Sequence, residues 1–205
     1  MAELETVTLP HLPANPVHVA VFENVANADF LKRQLLEGNS DFEYAFLDAS
    51  ALLTKTHVLA AVFRAVNDML NGRLKSRNVH SEIVFSLSPN NNIADSFRRF
   101  GIQDTTTALV AIKVSSGPAV TAESVQSHLS TSVEGTSIPF SDESLAKFTD
   151  FARIRKIYKL DAAASGGKKG KPNGVNGTAN GTGSQLSEAK EMEACVLGIM
   201  ALKGS

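Results

Sequence analysis

The stretch Glu82–Ile102, EIVFSLSPNNNIADSFRRFGI, decides how this chain divides into elements. Its first seven residues, EIVFSLS, are apolar and rich in branched side chains, and they read as a buried strand. Pro89 then ends that strand, because proline brings no amide proton to a ladder. Asn92 is a favoured helix N-cap, and Asp95, three residues on, suits the exposed amides and the dipole of a helix start. Ile93, Phe97 and Phe100 fall at i, i+4 and i+7, so a short helix is expected with these three inward and Gly101 as a left-handed terminator. Capping accounts for one member of the triplet Asn90, Asn91 and Asn92, and turn chemistry for a second. The third is surplus. A side-chain amide offers donors and an acceptor together, which is the equipment needed at a base edge or a sugar.

On either side, strands and helices alternate. VHVAVFE (17–23), YAFLDA (44–49) and ALVAIKV (108–114) read as further strands. Asn27 precedes ADFLKRQLLEG, a helix with Phe30, Leu31 and Leu35 on one face and Gly38 as terminator. In HVLAAVFRAVNDMLNGR, the residues Leu59, Val62, Phe63, Val66 and Leu70 form one apolar stripe of a helix that Gly72 ends. Residues 121–131 and FARIRKIYKL (151–160) are expected to be helical, the latter with Phe151, Ile154 and Ile157 inward. The alternation predicts an α/β or α+β domain over 1–161, a mixed central sheet with helices packed on it.

Residues 162–184, AAASGGKKGKPNGVNGTANGTGS after Asp161, change in kind. They are Gly, Asn, Ser and Lys with little to bury, and read as a disordered linker. Such a linker spans about 25–30 Å, enough to bring a tail back across a small domain. A helix is expected over 185–203. Its apolar residues cover more than one stripe: Ala189, Met192, Val196 and Ile199 on one side, Cys195, Leu197 and Met200 beside or opposite. Either it sits in a groove of its own domain, or one side meets the domain and the other a partner protein.

The chain has 205 residues and a net charge of −1, so any affinity for nucleic acid must come from a local patch. A single cysteine, Cys195, excludes an intramolecular disulfide and suits a reducing compartment. No secretory signal and no apolar run long enough to span a bilayer is apparent, so no membrane partner is expected. One such patch exists. From Arg64 to Arg99 the window carries six cations, Arg64, Arg73, Lys75, Arg77, Arg98 and Arg99, against Asp68, Glu82 and Asp95, a local +3. Arg73, Lys75 and Arg77 alternate, so in an extended segment they project together. A second basic cluster, Arg153, Arg155, Lys156 and Lys159, lies in the 151–160 helix and reads most simply as a solvated face.

Catalytic equipment is sparse. There is no glycine-rich dinucleotide or P-loop motif and no H-E-x-x-H; the five histidines lack metal-ligand spacing. Asp48, at a strand end, reads as a cap of the following turn rather than a catalytic carboxylate. No catalytic residue, metal site or cofactor is therefore expected.

The segments HSEIVFSLSPNNNIADSFRRFGI, VLAAVFRAVNDMLNGRLKSR and ARIRKIYKL closely resemble the PRPK-binding-protein family, the small subunit of the KEOPS (EKC) complex, over roughly 17–160 and the C-terminal helix, in a fungal form. The resemblance implies a subunit that is not an enzyme. It binds and tunes the atypical kinase subunit of KEOPS and sits with the rest of that complex, in nucleus and cytoplasm. The complex makes the threonylcarbamoyl modification of adenosine 37 in tRNAs reading ANN codons, and is tied to telomere maintenance and transcription. The same resemblance implies recruitment of tRNA by its 3′ CCA end. Carried onto this chain, it points to Asn90, Asn91 and Asn92 for the terminal nucleotides, to Lys75, Arg77 and Arg64 for phosphates, and to Val196, Leu197 and Met200 for the kinase. Two other readings remain: a small-molecule or nucleotide-binding α/β enzyme that grips a phosphate, and a kinase regulator without RNA contact.

Overall fold

The structure, a computed structural model, describes residues 2–117, 119–160 and 181–203. Five strands form one sheet: β1 (Leu4–Val7), β2 (Val17–Glu23), β3 (Ala45–Asp48), β4 (Ala108–Val114) and β5 (Thr136–Ile138). The strand order is β1-β2-β4-β3. β1 runs beside Val17–Ala20 of β2, and β5 continues the same edge beside Val21–Glu23. Every pairing is antiparallel, so the fold is α+β and the sheet is not mixed in direction as expected.

β2 shows why its sequence is nearly all apolar. Val17, Val19 and Val21 enter the larger core, while Ala20 and Phe22 enter a second core on the opposite face. A strand covered on both faces has no solvent side to mark with polar residues. On the second face lie α1 (Ala28–Glu37) and α5 (Ala122–Ser132), bringing Leu31, Val125 and Leu129. On the first lie α2 (Lys55–Leu70), α3 (Val79–Leu87), α6 (Asp142–Ala146), α7 (Phe151–Tyr158) and α8 (Gly181–Leu202); α4 (Ile93–Phe100) closes one end and sends Phe100 inward.

The strand expected at 82–88 is the helix α3. Every residue from Val79 to Leu87 except Ser81 is buried, so the segment has no polar stripe, and its apolar run is as compatible with a strand as with a helix. Asn78 decides the matter locally, its side chain accepting the Ser81 amide at 2.8 Å as an N-cap. Ser88 and Pro89 follow the last turn, where proline commonly ends a helix.

α2 is where expected, but rotated. Its buried face is His57, Val58, Ala61, Val62, Ala65 and Val66, whereas Phe63 and Leu70 are among the exposed apolar residues. Small alanines let α2 approach its neighbours closely, so the packing face is the one with less bulk. Ile93 is likewise exposed. Gly101 is not left-handed; φ is −73° and ψ 160°. It forms an antiparallel bridge with Leu47, and a Cβ there would lie 2.7 Å from the Phe97 carbonyl oxygen. Close approach, not a positive φ, requires glycine here.

A buried polar chain ties three helices together. The Leu53 amide donates to His57 Nδ1 at 3.2 Å, His57 Nε2 lies 2.9 Å from the Tyr158 hydroxyl, and that hydroxyl donates to the Leu87 carbonyl. Since Nδ1 accepts, Nε2 carries the proton in the neutral ring. Burial lowers the His57 pKa to about 3 and pushes Tyr158 up.

The linker expected over 162–184 lies outside the described residues as far as 180; residues 181–184 belong to α8. On α8, Ala189, Met192, Val196 and Met200 are buried against the larger core. Each fully buried side chain of this size contributes about 1.5–3 kcal/mol relative to exposure.

Candidate functional site

The asparagine triplet divides its work. Asn92 caps α4, its side chain accepting the Asp95 amide at 2.9 Å. Asn90 Oδ1 accepts the Asn92 amide at 3.0 Å, and its Nδ2 donates to Asp95 Oδ2 at 2.7 Å. Asn90, together with Arg98 and Arg99, holds the Asp95 carboxyl below its ordinary pKa. Two of the amides are thus spent on the turn and cap. Asn91 is exposed, with no side-chain hydrogen bond among the described residues, and is the one left to meet a ligand.

The cations divide as well. Arg98 and Arg99 both pair with Asp95, and Arg73 pairs with Asp68 at 3.0 Å. Arg153 donates to Asp48 and Ser50 and to the Arg99 carbonyl, so it is structural, whereas Lys156 and Lys159 of the same cluster are exposed, the solvated face expected. Asp48 also accepts the Ser50 amide at 3.0 Å, which is the capping role expected of it. Arg64 is not free for a phosphate. It donates from Nη1 to the Met200 carbonyl and from Nη2 to the Lys203 carbonyl, satisfying the end of α8. A guanidinium presents several fixed donors, which suits it to hold two carbonyls at once.

Lys75 and Arg77 remain. Both are exposed, and neither has an ion-pair partner among the described residues. Their loop is built by Glu82, which the sequence reading treated only as a local acid. Glu82 is 1% exposed, and its carboxylate accepts the Lys75 amide at 3.0 Å, the Ser76 amide at 2.8 Å and the Ser76 hydroxyl at 2.6 Å. A strand at 82–88 hid this, because only a capped helix starting at Val79 turns Glu82 back onto the 73–78 loop.

Beside Arg77 opens a cavity of about 410 Å³ between α1, the 3-10 turn Ser40–Phe42, β3, α3 and α4. Its lining includes Lys32, Leu36, Glu43, Arg77, His80 and Phe97. His80 and Glu43 are functional candidates that sequence reading missed, since they converge only in three dimensions. No group of three or more His, Cys, Asp or Glu side chains among the described residues is placed to hold a metal.

At the other surface, α8 is seated by polar contacts at both ends. Arg155 pairs with Glu188 at 2.8 Å, Thr54 donates to Glu193, and the Lys203 amine donates to the Phe85 carbonyl. Burial lowers the Lys203 pKa to about 7. Val196 is 0% and Met200 4% exposed, both facing the chain's own core. With the helix seated in this way they are not available to a partner, because the groove they fill belongs to α2, α6 and α7. Leu197 is half-buried and lies nearer the outer side with Ala194, Cys195, Gly198 and Leu202, which are exposed.

A family model described as kinase binding protein CGI-121 matches residues 22–204 of the chain. The EKC/KEOPS complex subunit cgi121 of Aspergillus terreus is 56% identical over 202 residues, covering 98% of this chain and 97% of the relative. The corresponding subunit of Coccidioides immitis is 46% identical over 206 residues and covers both chains fully. That of Schizosaccharomyces pombe is 40% identical over 153 residues, covering 75% of this chain and 87% of the relative.

Proposed function

The chain belongs to the CGI-121 family of kinase-binding proteins, and from that premise we propose that it is a non-catalytic subunit of a fungal EKC/KEOPS complex that docks on the kinase and recruits tRNA. Its relatives carry the name of that complex, and the family carries the name of the activity. In this reading the complex makes the threonylcarbamoyl modification of tRNA, works in nucleus and cytoplasm, and serves telomere maintenance and transcription as well. The kinase meets the outer side of α8 around Leu197, and the tRNA 3′ CCA end meets Lys75, Arg77 and Asn91.

One observation carries the RNA half: Lys75 and Arg77, cations without an ion-pair partner among the described residues, stand on a loop that the buried Glu82 carboxylate holds in place. A single-stranded RNA end offers unstacked bases and accessible phosphates; the two cations suit its phosphates and the exposed Asn91 amide suits a base edge. The test is a gel shift of tRNA against tRNA lacking its CCA end, with and without the kinase. Loss of binding with the CCA end supports the reading, and indifference to it defeats recruitment by that end. Lys75→Ala and Arg77→Ala should each lower the salt slope by about 0.7.

A further inference from the structure

Lys203, just past the last turn of α8, is bracketed by two other helices. Its carbonyl accepts Nη2 of Arg64 from α2. Its amine reaches under α3, where it donates to the Phe85 carbonyl and stands 3.2 Å from the centre of the Phe85 ring. The residue is 5% exposed, which is rare for a lysine, and no carboxylate lies within ion-pair distance of its amine among the described residues.

An amine seated in this way is short of partners for a charge. An ammonium carries three donors. The seat supplies one carbonyl, which also accepts the Ser88 amide at 3.1 Å, and one ring face. A charged amine therefore gives up more hydration than it recovers, whereas an uncharged amine keeps its hydrogen bond to Phe85 at little loss. The surrounding charges add to this. The Arg64 guanidinium of α2 and the Lys75 amine of the 73–78 loop repel a proton on Lys203. The Glu82 carboxylate of α3 attracts one, but it accepts three hydrogen bonds from that loop. Asp68 of α2 is engaged with Arg73 at 3.0 Å. The charges that α6 and α7 bring to α8, Glu143 facing Lys190 and Arg155 paired with Glu188, act on the first half of the helix. Burial first and Arg64 second bring the amine from the ordinary 10.5 to about 7.

We propose that Lys203 is a proton-operated latch: its uncharged amine fastens the last turn of α8 onto α3, and a proton on that amine loosens the turn. In the loosened turn the amine stands in water and keeps its proton up to about 10.5; in the seated turn it gives the proton up near 7. Below pH 7 both states are charged and the balance between them is nearly flat. Above it only the loosened turn binds the proton, so raising the pH favours the seated turn, by about 25-fold from pH 6.5 to pH 8.5. The latch acts on the helix that carries Leu197, and it stands whether or not a kinase docks there.

The experiment is a lysine 13Cε NMR titration of the full chain, with hydrogen exchange followed over residues 199–203 from pH 6.5 to pH 8.5 and corrected for the intrinsic rise of exchange with pH. Lys203, assigned by its absence from the Lys203→Met spectrum, should titrate near 7, and protection of the last turn should rise about 25-fold across that range. Lys203→Met keeps an apolar stem under α3 without a charge, so its last turn should be protected to the same degree at every pH. Lys203→Arg stays charged throughout and should leave the turn weakly protected at every pH. A Lys203 that titrates near 10.5 overturns the latch, and so does protection in the parent that stays level with pH. A pH slope retained in Lys203→Met belongs to another group and overturns it too; should that variant fail to fold, the titration and exchange of the parent decide.

Discussion

Arg64 of α2 donates from Nη1 to the carbonyl oxygen of Met200, 2.6 Å away, and so holds the last turn of a helix 136 residues further along the chain. The last carbonyls of a helix have no partner within it, and a neighbouring guanidinium binds that of Met200 here together with the Lys203 carbonyl just past the helix. The residue that sequence reading offered to an RNA phosphate is an internal clasp.

Arg64→Ala should therefore loosen α8 without changing RNA affinity. Charge-assisted hydrogen bonds contribute about 1.5–3 kcal/mol each, and partial exposure of Arg64 places the loss near the lower end. Hydrogen exchange should accelerate across 189–203, while tRNA gel shifts stay as in the parent. A drop in tRNA affinity with α8 protection unchanged would restore Arg64 to the RNA surface.

Met200 and Leu197 separate stability from docking. Met200→Ala removes a side chain 4% exposed and should cost about 2–5 kcal/mol by thermal or denaturant unfolding. Leu197→Glu, on the half-buried side, should leave Tm within a few degrees and abolish pull-down of the kinase. Retention of the kinase by a folded Leu197→Glu protein removes the outer side of α8 from the interface.

Glu82→Ala gives opposite signs for two effects. Removing an anion near Lys75 and Arg77 strengthens attraction for RNA by Coulomb's law alone. It also strands the Lys75 and Ser76 amides and the Ser76 hydroxyl, at about 1–3 kcal/mol for each donor that water does not reach. Weaker tRNA binding is expected, because a loop released from its carboxylate no longer presents its cations together. Tighter binding in the gel shift means that charge, not loop order, controls the site.

Acid should destabilise the protein through His57. Its folded pKa of about 3 lies below the ordinary value of 6.5, so between those two pH values the unfolded chain binds the extra proton. The stability is fully present above pH 6.5 and is lost as pH falls toward 3. By pH 5 the loss is about 2 kcal/mol. Burial shifts His18, His80 and His128 the same way and adds to it. Tm measured from pH 7.5 to 5 should fall less steeply in His57→Gln than in the parent; equal slopes would exclude His57 as a main contributor.

Much of the fold was legible locally. β2 and β4 announce themselves by apolar runs at the stated boundaries, and α1 by its terminator Gly38, which has φ 71°. β1, β5 and α6 were missed, since three to five residues carry too little pattern to stand out. The candidate site was half legible. Lys75, Arg77 and the triplet Asn90–Asn92 stood out by charge and amide type, whereas the hold of Glu82 on the 73–78 loop, the withdrawal of Arg64 and the meeting of His80 with Glu43 depend on contacts that no spacing encodes.

Sequence alone determined the strands β2 and β4, the helices α1 and α4, the cap at Asn92 and the basic character of the 73–77 loop, because these follow from apolar pattern, hydrogen bonding and charge within a few residues. Tertiary structure decided which helix faces are inward, that EIVFSLS is helical, that Val196 and Met200 belong to the interior, and that Arg64 clasps the end of α8. An apolar run buried on all sides has no period to read, and a guanidinium takes whichever carbonyl or phosphate the packed chain brings within reach.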